Sequence, residues 1–185
     1  MGRVPRHLFV PAELVDRAYE NRALPIGFSQ TISQPLVVAL MTDALGLEGG
    51  EKVLEVGTGS GYQAAVLAEL AREVHTIERS EPLHQIASHR LRSLGYGNLV
   101  CYLGDGSQGL AEEAPFDAIC ITAGTPEIPE PLRSQLAEGG RLVVPVGARK
   151  RQALRRVTRT GGKDVVEDIS PVVFVPLIGE HGWPG

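Results

Sequence analysis

The 185-residue chain is poor in the residue types that mark several functional classes. It has two cysteines, Cys101 and Cys120, set in apolar segments without paired spacing, which argues against a disulfide framework or a zinc site and for reduced, buried thiols. Its five histidines form no HxxxH or HxH pair, so no metal is expected. No apolar run reaches the roughly 20 residues that span a bilayer, and the first residues lack the apolar core of a signal peptide. The formal net charge of −4 gives no long-range pull toward nucleic acid or anionic membrane. Basic residues do cluster over 149–159, but Ala153, Leu154 and Val157 interleave them, which reads as the solvated face of a strand. Repeats, low-complexity tracts and an interdomain linker are also missing. These absences lead us to expect a soluble, cytoplasmic monomer of one domain, with neither nucleic acid nor membrane as partner.

What the chain has is glycine, 22 residues of it, and the most telling are in EVGTGSGYQ, residues 55–63. The apolar Val53, Leu54 and Val56 read as a strand that ends in a glycine turn and opens a helix. Gly57, Gly59 and Gly61 let the backbone pass through positive φ and approach a ligand more closely than a Cβ allows. The N–H groups that open the helix then face an anionic group, either a phosphate or an amino-acid carboxylate. Gly59, Gly61 and Ala64 also fit the relaxed dinucleotide fingerprint, so this turn alone leaves a nicotinamide enzyme and an S-adenosylmethionine enzyme both open.

Three further signals follow in chain order. Glu78 ends a second short strand, residues 74–77, about twenty residues on, where a carboxylate can hold ribose hydroxyls. A third strand, residues 99–103, ends in Gly104, Asp105 and Gly106; the aspartate can accept from an adenine amino group while the glycines leave room for the ring. A fourth, residues 116–122, ends at Thr122 before the small Ala123 and Gly124. Ligands of open parallel sheets lie at such carboxyl ends, so the four fit one adenosine crevice.

The chain resembles the protein-L-isoaspartate O-methyltransferases over nearly its whole length. The resemblance is carried by VPRHLFVP (4–11), ALPIGFSQTISQP (23–35), KVLEVGTGSGYQAAVLAEL (52–70), TIER (76–79), GDG (104–106), PFDAICITAGTPEIP (115–129), GGRLVVPVG (139–147) and FVPLIGEHGW (174–183). The glycine motif is common to many methyltransferases, whereas QTISQP is specific to this family. The resemblance implies S-adenosyl-L-methionine as cofactor, S-adenosyl-L-homocysteine as product, isoaspartyl peptides and proteins as partners, and the start of protein repair as the role. It implies Ser33 as the active-site residue, with Gln30, Thr31 and Ile32 beside the cofactor. It implies Glu55, Gly57, Thr58 and Gly59 at the methionine end, Glu78 and Arg79 at the ribose, and Gly104, Asp105 and Gly106 at the adenine, with Thr122 and Ala123 on the floor. Two of these positions have an ordinary structural reading as well: Ser33 stands where a helix N-cap belongs, and Glu55 can be a strand-end carboxylate facing solvent. The competing functions are another methyltransferase with a small-molecule acceptor, a cofactor-binding scaffold without turnover, and a dehydrogenase, the last disfavoured because no Tyr–Lys pair or hydride-site histidine emerges.

The expected fold is α/β, a Rossmann-like methyltransferase sheet, mostly parallel and flanked by helices, with an antiparallel C-terminal hairpin. Helices are expected over residues 12–19, 34–45, 60–70, from Ser80 to Leu94, and 129–136. A fifth strand covers 141–146, and strands 153–159 and 165–175 flank a turn at 160–163. The chain divides into an N-terminal cap with the QTIS loop (1–47), a cofactor core (48–147), and the hairpin and tail (148–185). Family members usually carry a helical segment before the VPR motif, and here Val4 follows Met1 closely, so closure over the cofactor is expected to be made differently or more weakly. Phe28 and Ser29, where His or Gln and then Gly are frequent, touch peptide preference more than chemistry.

Overall fold

The N-terminal region has no sustained apolar period and folds as short pieces in the computed structural model, which describes residues 2–185. Two 3-10 helices, Arg6–Phe9 and Ala12–Arg17, come first. The second replaces the α-helix expected over 12–19; it buries no side chain, so no apolar face holds a longer helix against the core. Next, β1 (Leu24–Gly27) and β2 (Gln30–Ile32) pair antiparallel, correcting the expectation of a loop around QTIS. The two-residue connection is Phe28–Ser29, both left-handed at φ 52° and 57°, which is the turn geometry that matches strand twist.

Helix α1 (Pro35–Leu45) buries Val38, Met41, Ala44 and Leu45. Its N-cap is Gln34, so Ser33 is not the cap and the structural reading of that serine falls away. Then come β3 (Lys52–Val56), α2 (Tyr62–Ala68), β4 (Glu73–Glu78), α3 (Glu81–Ser93) and β5 (Leu99–Leu103). They are followed by β6 (Phe116–Ile121), α4 (Glu130–Ser134), β7 (Leu136–Ala148), β8 (Arg151–Thr160) and β9 (Lys163–Val172). Helix α4 is shorter than expected because β7 starts early: Leu136 already pairs with Phe116, and the register resumes at Ala118 with Arg141 after an irregular stretch containing Gly139 at φ 77°.

Seven strands form one sheet in the order β5-β4-β3-β6-β7-β8-β9. The first five run parallel; β8 and β9 add the expected antiparallel hairpin at one edge, in sequential order. Side chains alternate between two cores. Leu54, Ile119, Ile121, Leu142 and Val144 pack with Leu132 on one face, while Val53, Ala118, Cys120 and Val143 pack against Met41, Leu45 and Leu67 on the other. Both faces are covered, which is why the parallel strands read as near-continuous apolar runs. The carboxyl ends of β3, β4 and β6 and the β1–β2 hairpin then converge on one rim.

Among the described residues, no helix is long and apolar enough to cross a membrane, and no three of His, Cys, Asp and Glu are grouped to hold a metal ion.

Candidate active site

Two cavities meet at this rim. The first is a narrow crevice of about 130 Å³ between the glycine turn and the hairpin. Along Thr31, Ser33, Thr122 and Val175 it adjoins a broader cavity of about 500 Å³.

The end of β3 supplies Glu55, the glycine turn and Thr58. Glu55 is fully buried, so the solvent-facing alternative does not hold. Its Oε2 accepts from Thr76 Oγ1, itself 2.6 Å from Thr58 Oγ1, while Oε1 has no partner among the described residues. Burial pushes the carboxyl up to about 8; the Thr76 hydroxyl opposes that rise and the charge on Glu78 adds to it. A buried carboxyl with one unsatisfied oxygen on the crevice wall calls for a hydrogen-bond donor, and a cationic donor would also offset the rise in its pKa.

Gly57 sits at φ 98°, and a Cβ there would lie 2.6 Å from Thr122 Oγ1; that hydroxyl donates to the carbonyls of Val56 and Gly57, at 2.9 and 2.6 Å. The turn is thus locked to the end of β6. Glu78, at the end of β4, is nearly buried; its Oε2 accepts from Gly59 N and its Oε1 from Ser80 N, both at 2.9 Å. A carboxylate offers about four lone-pair sites, so two stay free for ribose hydroxyls. Arg79 beside it is exposed yet lines the crevice.

The loop after β5, expected at the adenine, departs from that expectation. Gly106 lines the crevice, and a Cβ there would meet Val56 Cγ1 at 2.6 Å, so only glycine leaves that wall flat. Gly104 and Asp105 are not among the lining residues. Asp105 instead accepts from Ser107 N and Oγ through Oδ1, and from Glu180 N at 2.8 Å through Oδ2. Burial raises its pKa, but those donors, with Arg79 nearby, outweigh burial and hold it below the usual carboxylate value. It clamps the C-terminal tail over the loop that follows β5 and keeps unused lone pairs.

The hairpin brings Gln30, Thr31, Ile32 and Ser33 against the crevice from the side opposite the glycine turn. The tail adds Val175, Pro176, Leu177 and Ile178, held by Gly124 N to Val175 O at 2.7 Å and Leu177 N to Gly124 O at 2.8 Å. Trp183 folds back, half-buried, its backbone N–H donating to Leu177 O at 2.7 Å. Neither His nor Cys lines the crevice.

Sequence reasoning passed over Arg6. It is buried, its Nε donates to Ala18 O and its Nη2 to Ser33 O, each at 2.7 Å, and its guanidinium lies 4.8 Å from the Tyr62 ring centroid. The arginine of the VPR motif therefore fixes the backbone at Ser33, and its place in that motif was the one available signal. Arg6→Met leaves two carbonyls without donors; it should cost about 2–4 kcal/mol of stability in urea unfolding and lower turnover by loosening Ser33.

Comparison with known proteins places the family and the fold. The profile of the protein-L-isoaspartate(D-aspartate) O-methyltransferase family matches residues 1–182. A protein-L-isoaspartate O-methyltransferase of Dictyoglomus thermophilum is 56% identical over 181 residues, 98% of this chain and 82% of that protein. One of Syntrophus aciditrophicus is 57% identical over 189 residues, covering 100% of this chain and 86% of its own. Among solved structures, a protein-L-isoaspartate O-methyltransferase superposes with a TM-score of 0.89 at 32% identity, over 97% of this chain and 60% of the other. A protein from Plasmodium falciparum described as such a methyltransferase, in complex with S-adenosyl-L-homocysteine, gives 0.82 at 25% identity, over 95% and 87%.

Proposed function

The chain belongs to the protein-L-isoaspartate(D-aspartate) O-methyltransferase family and is an S-adenosylmethionine-dependent methyltransferase of isoaspartyl residues in damaged proteins; from that premise we propose how its residues divide the work. The narrow crevice takes the cofactor and the broader cavity takes the acceptor. The single observation that carries this reading is the wall they share, Thr31, Ser33, Thr122 and Val175, which is where donor and acceptor must meet.

The bound sulfonium supplies an activated methyl group, which the acceptor carboxylate takes as S-adenosylhomocysteine departs as a neutral thioether. The acceptor is already ionised near neutral pH, so the protein needs no general base, and the crevice lining has neither His nor Cys. What the residues contribute is alignment of oxygen, carbon and sulfur, worth several kcal/mol in favourable cases. Glu55 receives the cofactor's ammonium, the glycine turn and the N–H groups behind it its carboxylate, Glu78 its ribose, and Gly106, with Ile77 of β4 beside it in the crevice lining, its adenine. Asp105 acts chiefly by holding the tail that covers that ring. Ser33, freed from any capping role, donates to the acceptor carboxylate without removing its charge.

We further propose that the whole chain works as one domain and as a monomer, since one sheet joins the cofactor core to the C-terminal hairpin and residues of all three segments line both cavities. The two unpaired cysteines favour a reducing compartment, the cytoplasm.

The test uses labelled S-adenosylmethionine with paired peptides that differ only in isoaspartate or aspartate. Base-labile label on the isoaspartyl peptide alone is the expected result. Label on neither, despite cofactor binding, would point to another acceptor or a scaffold. Ser33→Ala should lower kcat/KM for that peptide by about tenfold, the worth of one hydrogen bond to a charged group, while S-adenosylhomocysteine affinity measured calorimetrically changes little.

A further inference from the structure

The basic cluster at 149–159 does not behave as one face. Arg155 pairs with Asp168 and Arg156 with Glu167, each at 2.7 Å, and Arg159 pairs with Asp164 at 3.3 Å, so β9 neutralises the far half of the cluster. At the near half, the β7–β8 turn, Arg149 lies 5.1 Å from the Trp183 ring centroid. Lys150 and Arg151 are exposed, make no ion pair among the described residues, and line the broader cavity.

No carboxylate lines that cavity. Its remaining polar groups are hydroxyls and amides, and the wall facing the turn is apolar, built from Val172, Val173 and Phe174. Gln152 holds this wall in place, accepting from Phe174 N at 2.8 Å after regular β8–β9 pairing ends at Val172. The result is an apolar trough that suits an extended peptide, with two uncompensated cations on one side, on a chain whose net charge is −4.

On the reading that this cavity takes the acceptor, we propose that Lys150 and Arg151 make the enzyme selective for isoaspartyl segments carrying an acidic side chain next to the damaged residue. The occupant is a peptide and the chemistry that recognises it is charge complementarity beyond the reacting carboxylate. Exposed pairs of this kind are individually weak, giving about fivefold in binding at low salt, and are screened as salt rises. The effect belongs in KM, since the flanking charge does not take part in methyl transfer.

The experiment compares isoaspartyl peptides identical except for Glu, Gln or Lys at the flanking positions, with labelled S-adenosylmethionine, at low and high ionic strength. The expected order of kcat/KM is Glu over Gln over Lys, about fivefold per step at low salt, expressed in KM and shrinking as salt is added. In the Lys150→Gln/Arg151→Gln double variant the order collapses to near equality. Equal turnover of the Glu and Lys peptides by the wild-type protein, or an order that survives in the double variant, overturns the selectivity alone. Label on none of the peptides overturns the acceptor reading and the selectivity with it.

Discussion

Glu55→Gln should weaken S-adenosylhomocysteine binding by about ten- to a hundredfold near pH 8, the worth of a charge-assisted hydrogen bond in a buried site, and should flatten its pH dependence. In the free protein Glu55 titrates at about 8, raised by burial first and by the Glu78 charge, against the Thr76 hydroxyl. Near neutral pH it therefore carries a proton that must leave when an ammonium takes its place beside Oε1. Wild-type affinity should rise with pH toward 8, by at most about tenfold per unit, with proton release visible in calorimetry in two buffers of different ionisation enthalpy. The variant has no proton to release.

The same carboxyl governs stability without cofactor. Its folded pKa lies above its unfolded value of 4.5, so its contribution is fully present below about 4.5 and is lost as pH rises toward 8. Each unit in that window withdraws about 1.4 kcal/mol. The difference in unfolding free energy between wild type and Glu55→Gln, which cancels the other carboxylates, should shift in favour of the variant over this interval. A bound ammonium should close that gap.

Gly57→Ala is the second large effect. The residue lies at φ 98°, which an alanine adopts only under strain of about 1–3 kcal/mol, and its Cβ would stand 2.6 Å from Thr122 Oγ1. Thr122 cannot yield freely, because its hydroxyl holds the Val56 and Gly57 carbonyls. The variant should unfold at lower denaturant and lose measurable S-adenosylhomocysteine binding. Gly59→Ala is the control: at φ 51° it lies in the left-handed basin, and the nearest atom to its Cβ is Ile26 Cδ1 at 3.6 Å, so its folding cost should stay near 1 kcal/mol.

Much of this site was legible because local chemistry specified it. The β3 strand, the glycine turn, Glu78 and the Gly161–Gly162 hairpin turn each state their geometry in a few adjacent residues. What escaped depends on distance or on burial against type. The β1–β2 hairpin turns on Phe28 and Ser29, neither a residue that announces positive φ. Asp105 read as a crevice acceptor, yet it does not line the crevice, and it ties down Glu180, 75 positions away. Arg6, a residue type usually exposed, shows its role only once the Ala18 and Ser33 carbonyls are seen to accept its hydrogen bonds. The basic cluster read as one solvated face because the pairing of β8 with β9, which neutralises only half of it, is a tertiary fact.

The most direct measurement is a crystal structure with S-adenosylhomocysteine and an isoaspartyl peptide. The account predicts the amino group at Glu55 Oε1 and the sulfur turned toward the wall of Thr31, Ser33, Thr122 and Val175, with the isoaspartyl carboxylate on its far side. A cofactor lying with its sulfur away from that wall, or a peptide seated elsewhere on the protein, would contradict it.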